Sequence, residues 1–255
     1  MTLRHGLFVN WPVDPERIRP HVPSELTVDT RDGTAWLSVL PLVLTNVGFR
    51  GTPSSTRVAF AELNVRTYVT YRGDPGLYFF SVDVGQQLLA SVAGLLTRLP
   101  VFPAEMHVSG SGEGVRFSSR RLRASSWQRR FQDAMRSERK AEATRAANAN
   151  VDVGVDGDTE PPWFAATYRP TGPVETPGSG TLEHWLTERR RFYAPNRDSV
   201  LVGEVAHDPW PLQPAEVTIT ENTMFDALGL APTRAEPLVY YCDELEMTGS
   251  IPRRR

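Results

Sequence analysis

Phe60-Ala61-Glu62-Leu63-Asn64-Val65-Arg66-Thr67-Tyr68-Val69 alternates polar and apolar side chains along most of its length. That period of two belongs to a β-strand, whose successive side chains point to opposite faces. Glu62, Asn64, Arg66 and Tyr68 then share one face, and Ala61, Leu63, Val65 and Val69 share the other. Two readings fit the pattern. A half-solvated antiparallel strand with its polar side in water has it. So does a strand whose polar face is buried, and there the charged groups need mutual pairing or a polar ligand, because an unpaired buried charge is too costly to keep.

The next apolar run, Leu77 to Val84, pairs with this strand as a hairpin. A four-residue loop at Gly73 to Gly76 sets Arg66 opposite Asp83 and Tyr68 opposite Ser81, a register that keeps polar beside polar. Asp83 then either joins a buried polar array or serves Arg66 as a structural partner. The Arg66 guanidinium is a fork suited to a carboxylate or phosphate. Glu62 suits general acid or base work if burial raises its pKa.

Outward from this hairpin, 19 Gly and 21 Pro punctuate short β-favouring runs, the signature of a mainly β (α+β) chain with a few helices added. Strands are expected at Leu26 to Thr30, Ala35 to Leu44, Phe102 to Ser109, Val115 to Leu122, Trp163 to Arg169, Val200 to Ala206, Ala215 to Thr220 and Leu238 to Met247. Asp14 caps a short helix that opens on Pro15 and closes at Pro20. Longer helices are expected at Gln86 to Arg98 and Thr181 to Tyr193, and a short one at Glu221 to Leu228. From about 124 to 160 the chain turns Ala/Arg/Glu-rich and then acidic, which reads as a loop insertion in a single domain spanning 1–255.

Two further clusters carry polar chemistry. In Leu186-Thr187-Glu188-Arg189-Arg190-Arg191-Phe192-Tyr193, Arg190 and Arg191 read as a solvated face, whereas Arg189 shares a helical side with Leu182, Trp185 and Leu186 and points toward the sheet. In His207-Asp208-Pro209-Trp210-Pro211-Leu212 the prolines stiffen the backbone and Trp210 is a packing anchor. His207 is either a titratable site residue or a structural histidine at a turn.

Composition removes several classes. The 255 residues are 40% hydrophobic, enough to fill a core, and a net charge of −2 offers nucleic acid no basic field. The longest apolar stretch, around Leu88 to Leu96, is too short to span a bilayer. Met1-Thr2-Leu3-Arg4-His5-Gly6 lacks signal-peptide anatomy, so a cytoplasmic location is expected. Cys242 is the only cysteine, which excludes an internal disulfide and a cysteine-built zinc cage. His5, His21, His107, His184 and His207 lack metal-binding spacing, and no phosphate-cradling glycine loop or nucleophile elbow is present. No metal or other cofactor is expected, and the oligomeric state is left open. Of the 28 basic residues, 27 are arginine and only Lys140 is lysine.

Several of these segments together resemble the uncharacterised YqjF-like family. They are Trp11-Pro12-Val13-Asp14, Val22-Pro23, Asp32-Gly33-Thr34-Ala35-Trp36-Leu37-Ser38, the Phe60 to Val69 strand, Gly76-Leu77-Tyr78-Phe79-Phe80-Ser81, Leu99-Pro100, Leu182 to Tyr193 and His207 to Leu212. The family sits in the acetoacetate decarboxylase-like superfamily. The resemblance implies a cone-shaped antiparallel β-barrel with a few helices packed outside and a polar interior pocket. It favours the buried reading of Glu62 and Arg66. The superfamily's namesake works through a lysine Schiff base, and here the chain departs: Lys140 falls in the insertion, and a guanidinium forms no imine under these conditions. The remaining expectations are a barrel pocket binding a small anionic or oxo compound, enzymatic or not, or an array of Glu62, Arg66, Asp83 and Arg189 that satisfies itself. In the first case Glu62 moves a proton, while Asn64, Arg66, Tyr68, Asp83, Arg189 and His207 are the candidate ligand contacts.

Overall fold

A computed structural model describes residues 1–49, 51–86, 97–111, 114–122, 160–196, 199–230, 232 and 236–254. The strands are β1 (Thr2–Val13), β2 (Thr27–Val28), β3 (Ala35–Val47), β4 (Val58–Tyr71), β5 (Asp74–Val84), β6 (Val101–Ser111), β7 (Gly114–Arg121), β8 (Trp163–Pro170), β9 (Arg191–Asn196), β10 (Ser199–His207), β11 (Gln213–Asn222), β12 (Leu238–Gly249) and β13 (Arg253–Arg254). The described α-helices are α1 (Pro15–Ile18) and α2 (Leu182–Thr187). None of the described helices is long and apolar enough to cross a membrane.

All described strands join one sheet, and it closes on itself. Neighbours β12, β1, β3, β4 and β5 form an antiparallel wall. At each end of the wall the outer edge is divided. Leu77 and Tyr78 of β5 pair with β9, whereas Val82, Asp83 and Val84 pair with β6, both in parallel. Likewise Tyr240 and Tyr241 of β12 pair with β11, whereas Met247, Thr248 and Gly249 pair with β10. Two arms therefore close the ring: a long one through β6, β7, β8 and β11, and a short one through β9 and β10. The barrel is thus antiparallel except where both arms leave β5.

The two arms give the wall two unlike faces. Val9, Leu37, Leu63 and Val65 meet Phe117, Phe164 and Tyr168 of the long arm in the main apolar core. Each such aliphatic side chain contributes roughly 1.5–3 kcal/mol on burial. The opposite face, carrying Tyr68 and Trp36, packs against Leu186 of α2 and Phe192 of the short arm. Phe8 and Trp210 continue that second layer.

Several sequence expectations change. No element is read before Asp14 from the sequence, yet β1 lies inside the wall between β12 and β3. Its alternation breaks where the register with β3 shifts between Arg4 and Val9, with His5 at φ 52°. The helix expected over Thr181 to Tyr193 stops at Thr187, because Glu188 leaves helical geometry (ψ 57°). Beyond it Arg191–Asn196 pairs with β5 and β10, tertiary pairing overriding local propensity. Glu221 to Leu228 yields only a single 3-10 turn at Asp226–Leu228, the preceding residues extending β11 to Asn222. Asp14 does cap α1, its Oδ1 accepting from Glu16 N at 3.0 Å. Most of the helix expected at Gln86 to Arg98, and nearly all of the insertion at 124 to 160, lie outside the described residues.

Where the short arm leaves β5, the chains approach so closely that only glycine fits. A Cβ on Gly76 would stand 2.5 Å from the Tyr193 ring and 2.9 Å from the Arg191 carbonyl oxygen. The ring cannot swing away, since Tyr193 is buried and its hydroxyl donates to Asp74 O at 2.9 Å. Gly76→Ala is expected to cost about 1–3 kcal/mol by overpacking, read as a lower midpoint in urea with unchanged slope.

Candidate functional site

On the polar face of β4, Asn64, Arg66 and Tyr68 are buried and Glu62 is half-buried, with Tyr68 packed against Leu186 of α2 and Phe192 of the short arm. A row crosses the wall on this face: Asn10 stands opposite Ser38, Ser38 opposite Arg66, and Arg66 opposite Phe79. Asn64 and Glu62 follow toward the start of β4, opposite Leu40 and Leu42. Asn10, Ser38 and Tyr68 are fully buried, and Asn64 and Arg66 nearly so. Ser38 Oγ donates to Asn10 Oδ1 at 2.6 Å and lies 2.8 Å from Tyr68 Oη, which itself is 3.3 Å from Asn10 Oδ1. Tyr68 is therefore held by two residues that the sequence reading passes over. Their signal was present: each is the lone polar residue in an apolar run, Leu7-Phe8-Val9-Asn10-Trp11 and Ala35-Trp36-Leu37-Ser38-Val39-Leu40.

Arg189 reaches this face as expected, though from just past the end of α2. Its Nη1 donates to Asp29 Oδ2 at 2.7 Å and its Nε to Trp185 O at 2.8 Å. Its guanidinium lies over the rings of Trp185 (4.3 Å) and Tyr68 (5.3 Å). Arg66 lies over Phe8 at 5.5 Å. Phe8 in turn meets Trp210 edge-on at 4.8 Å, so the packing anchor of the Pro-rich segment borders the row. Glu188 fastens that segment, accepting from Trp210 N at 2.9 Å and from Arg190 Nη2 at 2.7 Å. Arg190 also donates to His207 O, so it is a structural tie rather than part of a wet face.

Asp83 does not join the row. The hairpin turns on two residues, Arg72 and Gly73, both at positive φ (53° and 84°), rather than on a four-residue loop. Arg66 consequently faces Phe79, and a bulge between Val65 and Arg66 shifts the pairs that follow. Asp83 thereby stands opposite Leu63, on the apolar-core side, and is fully buried. There its Oδ1 accepts from Arg121 Nε at 3.0 Å and Nη2 at 2.8 Å, with Arg121 stacked on Phe102 at 4.0 Å. Without the bulge, Ser81 would face Asn64 and Asp83 would face Glu62; one extra residue in the ladder reverses both. His207 sits at the margin, half-buried, its Nδ1 2.7 Å from Asp208 O and its ring 4.9 Å from Trp210. Burial pushes its pKa down.

Five buried atoms on this face lack any hydrogen-bond partner: Arg66 Nε, Arg189 Nη2, Trp36 Nε1, Trp210 Nε1 and Asn64 Oδ1. Native interiors leave few such groups, because each costs roughly 1–3 kcal/mol. Three other buried atoms among the described residues, His21 Nδ1, Asp83 Oδ2 and Ser119 Oγ, likewise have no partner. The two described surface grooves, about 550 Å³ beside Arg169 and Gln213 and about 210 Å³ beside His107 and Arg116, hold none of these groups. No cluster of three or more His, Cys, Asp or Glu able to hold a metal occurs among the described residues.

Comparison with known proteins follows the same lines. Residues 1–246 match the profile of DUF2071, described as an uncharacterized conserved protein. The uncharacterized protein YqjF of Bacillus subtilis (strain 168) is 35% identical over 242 residues, covering 94% of this chain and 86% of that one. Among solved structures, the enduracididine biosynthesis enzyme MppR complexed with pyruvate superposes with a TM-score of 0.59 at 15% identity, over 99% of this chain and 88% of its own. An acetoacetate decarboxylase-like enzyme from Sphingomonas wittichii RW1 superposes with a TM-score of 0.56 at 13% identity, over 100% and 91%. At these identities the structural likeness establishes the fold.

Glu62 is the titratable carboxyl of the row. Burial pushes its pKa above the ordinary 4.5, while a hydrogen bond from Asn64 Nδ2 (3.1 Å) and the charge of Arg66 pull the other way. A carboxyl whose folded pKa is raised favours the folded state fully below its unfolded pKa, and that contribution is lost as pH rises through the folded value. Glu62→Gln abolishes the titration and keeps an acceptor for Asn64. Its melting temperature relative to wild type is expected to rise from pH 4 to pH 8. A difference independent of pH would remove the buried-carboxyl assignment.

Proposed function

Because the chain belongs to the DUF2071 family and folds as an acetoacetate decarboxylase-like barrel, we propose that its buried polar row binds a small carboxylate. The five unpartnered atoms carry the reading: four are donors, two of them on guanidiniums. Arg66 and Arg189 hold the anion, a task for which a planar, permanently charged fork is suited. Asn64 orients it. Tyr68 acts as a positioning residue, since Ser38 and Asn10 already engage its hydroxyl and its ring supports Arg189. His207 borders the site through Trp210. The pyruvate held by MppR supports a small oxygen-rich anion as the class of ligand.

Glu62 is the group placed to move a proton, and burial brings its pKa closer to the range in which a carboxyl works as general acid. Imine chemistry is no part of the proposal. The only lysine, Lys140, lies outside the described residues, so none of the groups assembled on the row is a side-chain amine. The lone Cys242 is buried and free, which suits a reducing compartment, and the cytoplasm is the proposed location.

The test is a thermal-shift screen of small carboxylates on wild type and Arg66→Ala. A ligand at a hundredfold its Kd stabilises the native state by about 2.7 kcal/mol, roughly 5–10 °C in a chain of this length. Wild type is expected to respond and Arg66→Ala to lose the response; a screen in which neither protein shifts overturns the assignment. Binding is also expected to tighten as pH falls through the Glu62 pKa, since the neutral carboxyl no longer repels the anion. For any carboxylate that is turned over, Glu62→Gln should lower kcat about 10²–10⁴-fold. Unchanged turnover would strip Glu62 of its proton-transfer role, and binding without turnover would make the barrel a carrier or sensor.

A further inference from the structure

The unpartnered atoms of the row are unequal in kind. Arg66 Nε, Arg189 Nη2, Trp36 Nε1 and Trp210 Nε1 donate, whereas Asn64 Oδ1 accepts. The orientation of the Asn64 amide is set by its neighbour: Nδ2 donates to Glu62 Oε1 at 3.1 Å, which leaves the carbonyl oxygen as the free end. A plain carboxylate has only acceptors. It answers guanidinium donors and leaves Asn64 Oδ1 bare. A 2-oxo acid adds one more acceptor and leaves the same atom bare. A ligand that completes the set must itself donate one hydrogen bond.

Charge decides what kind of donor that is. Arg66 and Arg189 stand near enough to repel each other electrostatically, and Glu62 is the carboxyl that faces Arg66. An ammonium donor would meet two guanidiniums, whereas a hydroxyl meets no such penalty. Asn64 lies two residues before Arg66 on the same face of β4, about 6.5–7 Å along the strand. One three- or four-carbon molecule spans that distance.

We infer that the ligand is a small hydroxy-carboxylate, its carboxylate taken by the Arg66 and Arg189 donors and its hydroxyl donating to Asn64 Oδ1. This rests on the anion-binding reading above and narrows its ligand class from carboxylates in general to those bearing a neutral donor. This barrel then accepts the reduced, hydroxyl-bearing form of a short acid in preference to its oxo form.

Four three-carbon probes test it: propionate, pyruvate, lactate and alanine, titrated calorimetrically into the full-length protein. Lactate is expected to bind about tenfold more tightly than propionate or pyruvate, the worth of one hydrogen bond otherwise left unmade. Asn64→Leu should erase that preference and bind propionate, pyruvate and lactate alike, and Arg66→Ala should bind none of them. Pyruvate or propionate bound as tightly as lactate by the wild type overturns the hydroxyl inference and leaves the anion-binding reading standing. Alanine bound as tightly as lactate overturns the choice of a neutral donor. No binding of any probe overturns both readings. Should Asn64→Leu fail to fold, the wild-type ratios decide alone.

Discussion

A β-strand has two hydrogen-bonding edges, and β5 serves three neighbours. It gives one edge to β4 and splits the other between β9 and β6. β12 repeats the arrangement at the far side of the wall with β10 and β11. Because an edge can be divided only lengthwise, the two arms depart at different heights and close over different faces. The long arm shuts the apolar face into a core. The short arm, with α2, packs on the opposite face over Tyr68 and Phe79. Burial of a polar row, which the interior of a single apolar core would not tolerate, follows from that division.

The chemistry of the covered face is set by the side chains that the described residues place there. A barrel of this fold invites comparison with enzymes that form imines, yet the row assembles guanidiniums, indoles, an amide and a carboxyl. Guanidiniums bind and polarise; they do not add to carbonyls. Groups of these kinds act by electrostatic stabilisation and proton movement. The fold is shared, and the site argues its own function.

Much of the wall was legible from period alone. The alternation from Phe60 to Val69 places four polar side chains on one face, and Arg189 is assigned inward from its helical neighbours; the packing agrees with both. Asp83 was not legible, because a bulge adds no sequence signature of its own and reverses every side chain beyond it. The hairpin turn misled for a related reason. Gly73-Asp74-Pro75-Gly76 is rich in turn residues, but the chain turns one residue earlier, with Arg72 in the left-handed region. β9 was hidden by a run, Leu182 to Tyr193, whose first half is helical and whose second half is claimed by β5 and β10. Asn10 and Ser38 could have been found by treating a solitary polar residue in an apolar strand as a question about its partner.

The fastening of Arg189 carries a consequence in conformational entropy. A free arginine has many rotamers, and a ligand that captures one must immobilise it, at about 0.5–1.5 kcal/mol for a long side chain. Here Asp29, the Trp185 carbonyl and two aromatic rings already hold the guanidinium still, with one nitrogen unclaimed. The disorder is given up during folding, so an incoming anion surrenders only its own freedom. Asp29, which accepts from Arg189 and need touch no ligand, would thereby hold part of the affinity of the proposed site on the other side of that guanidinium.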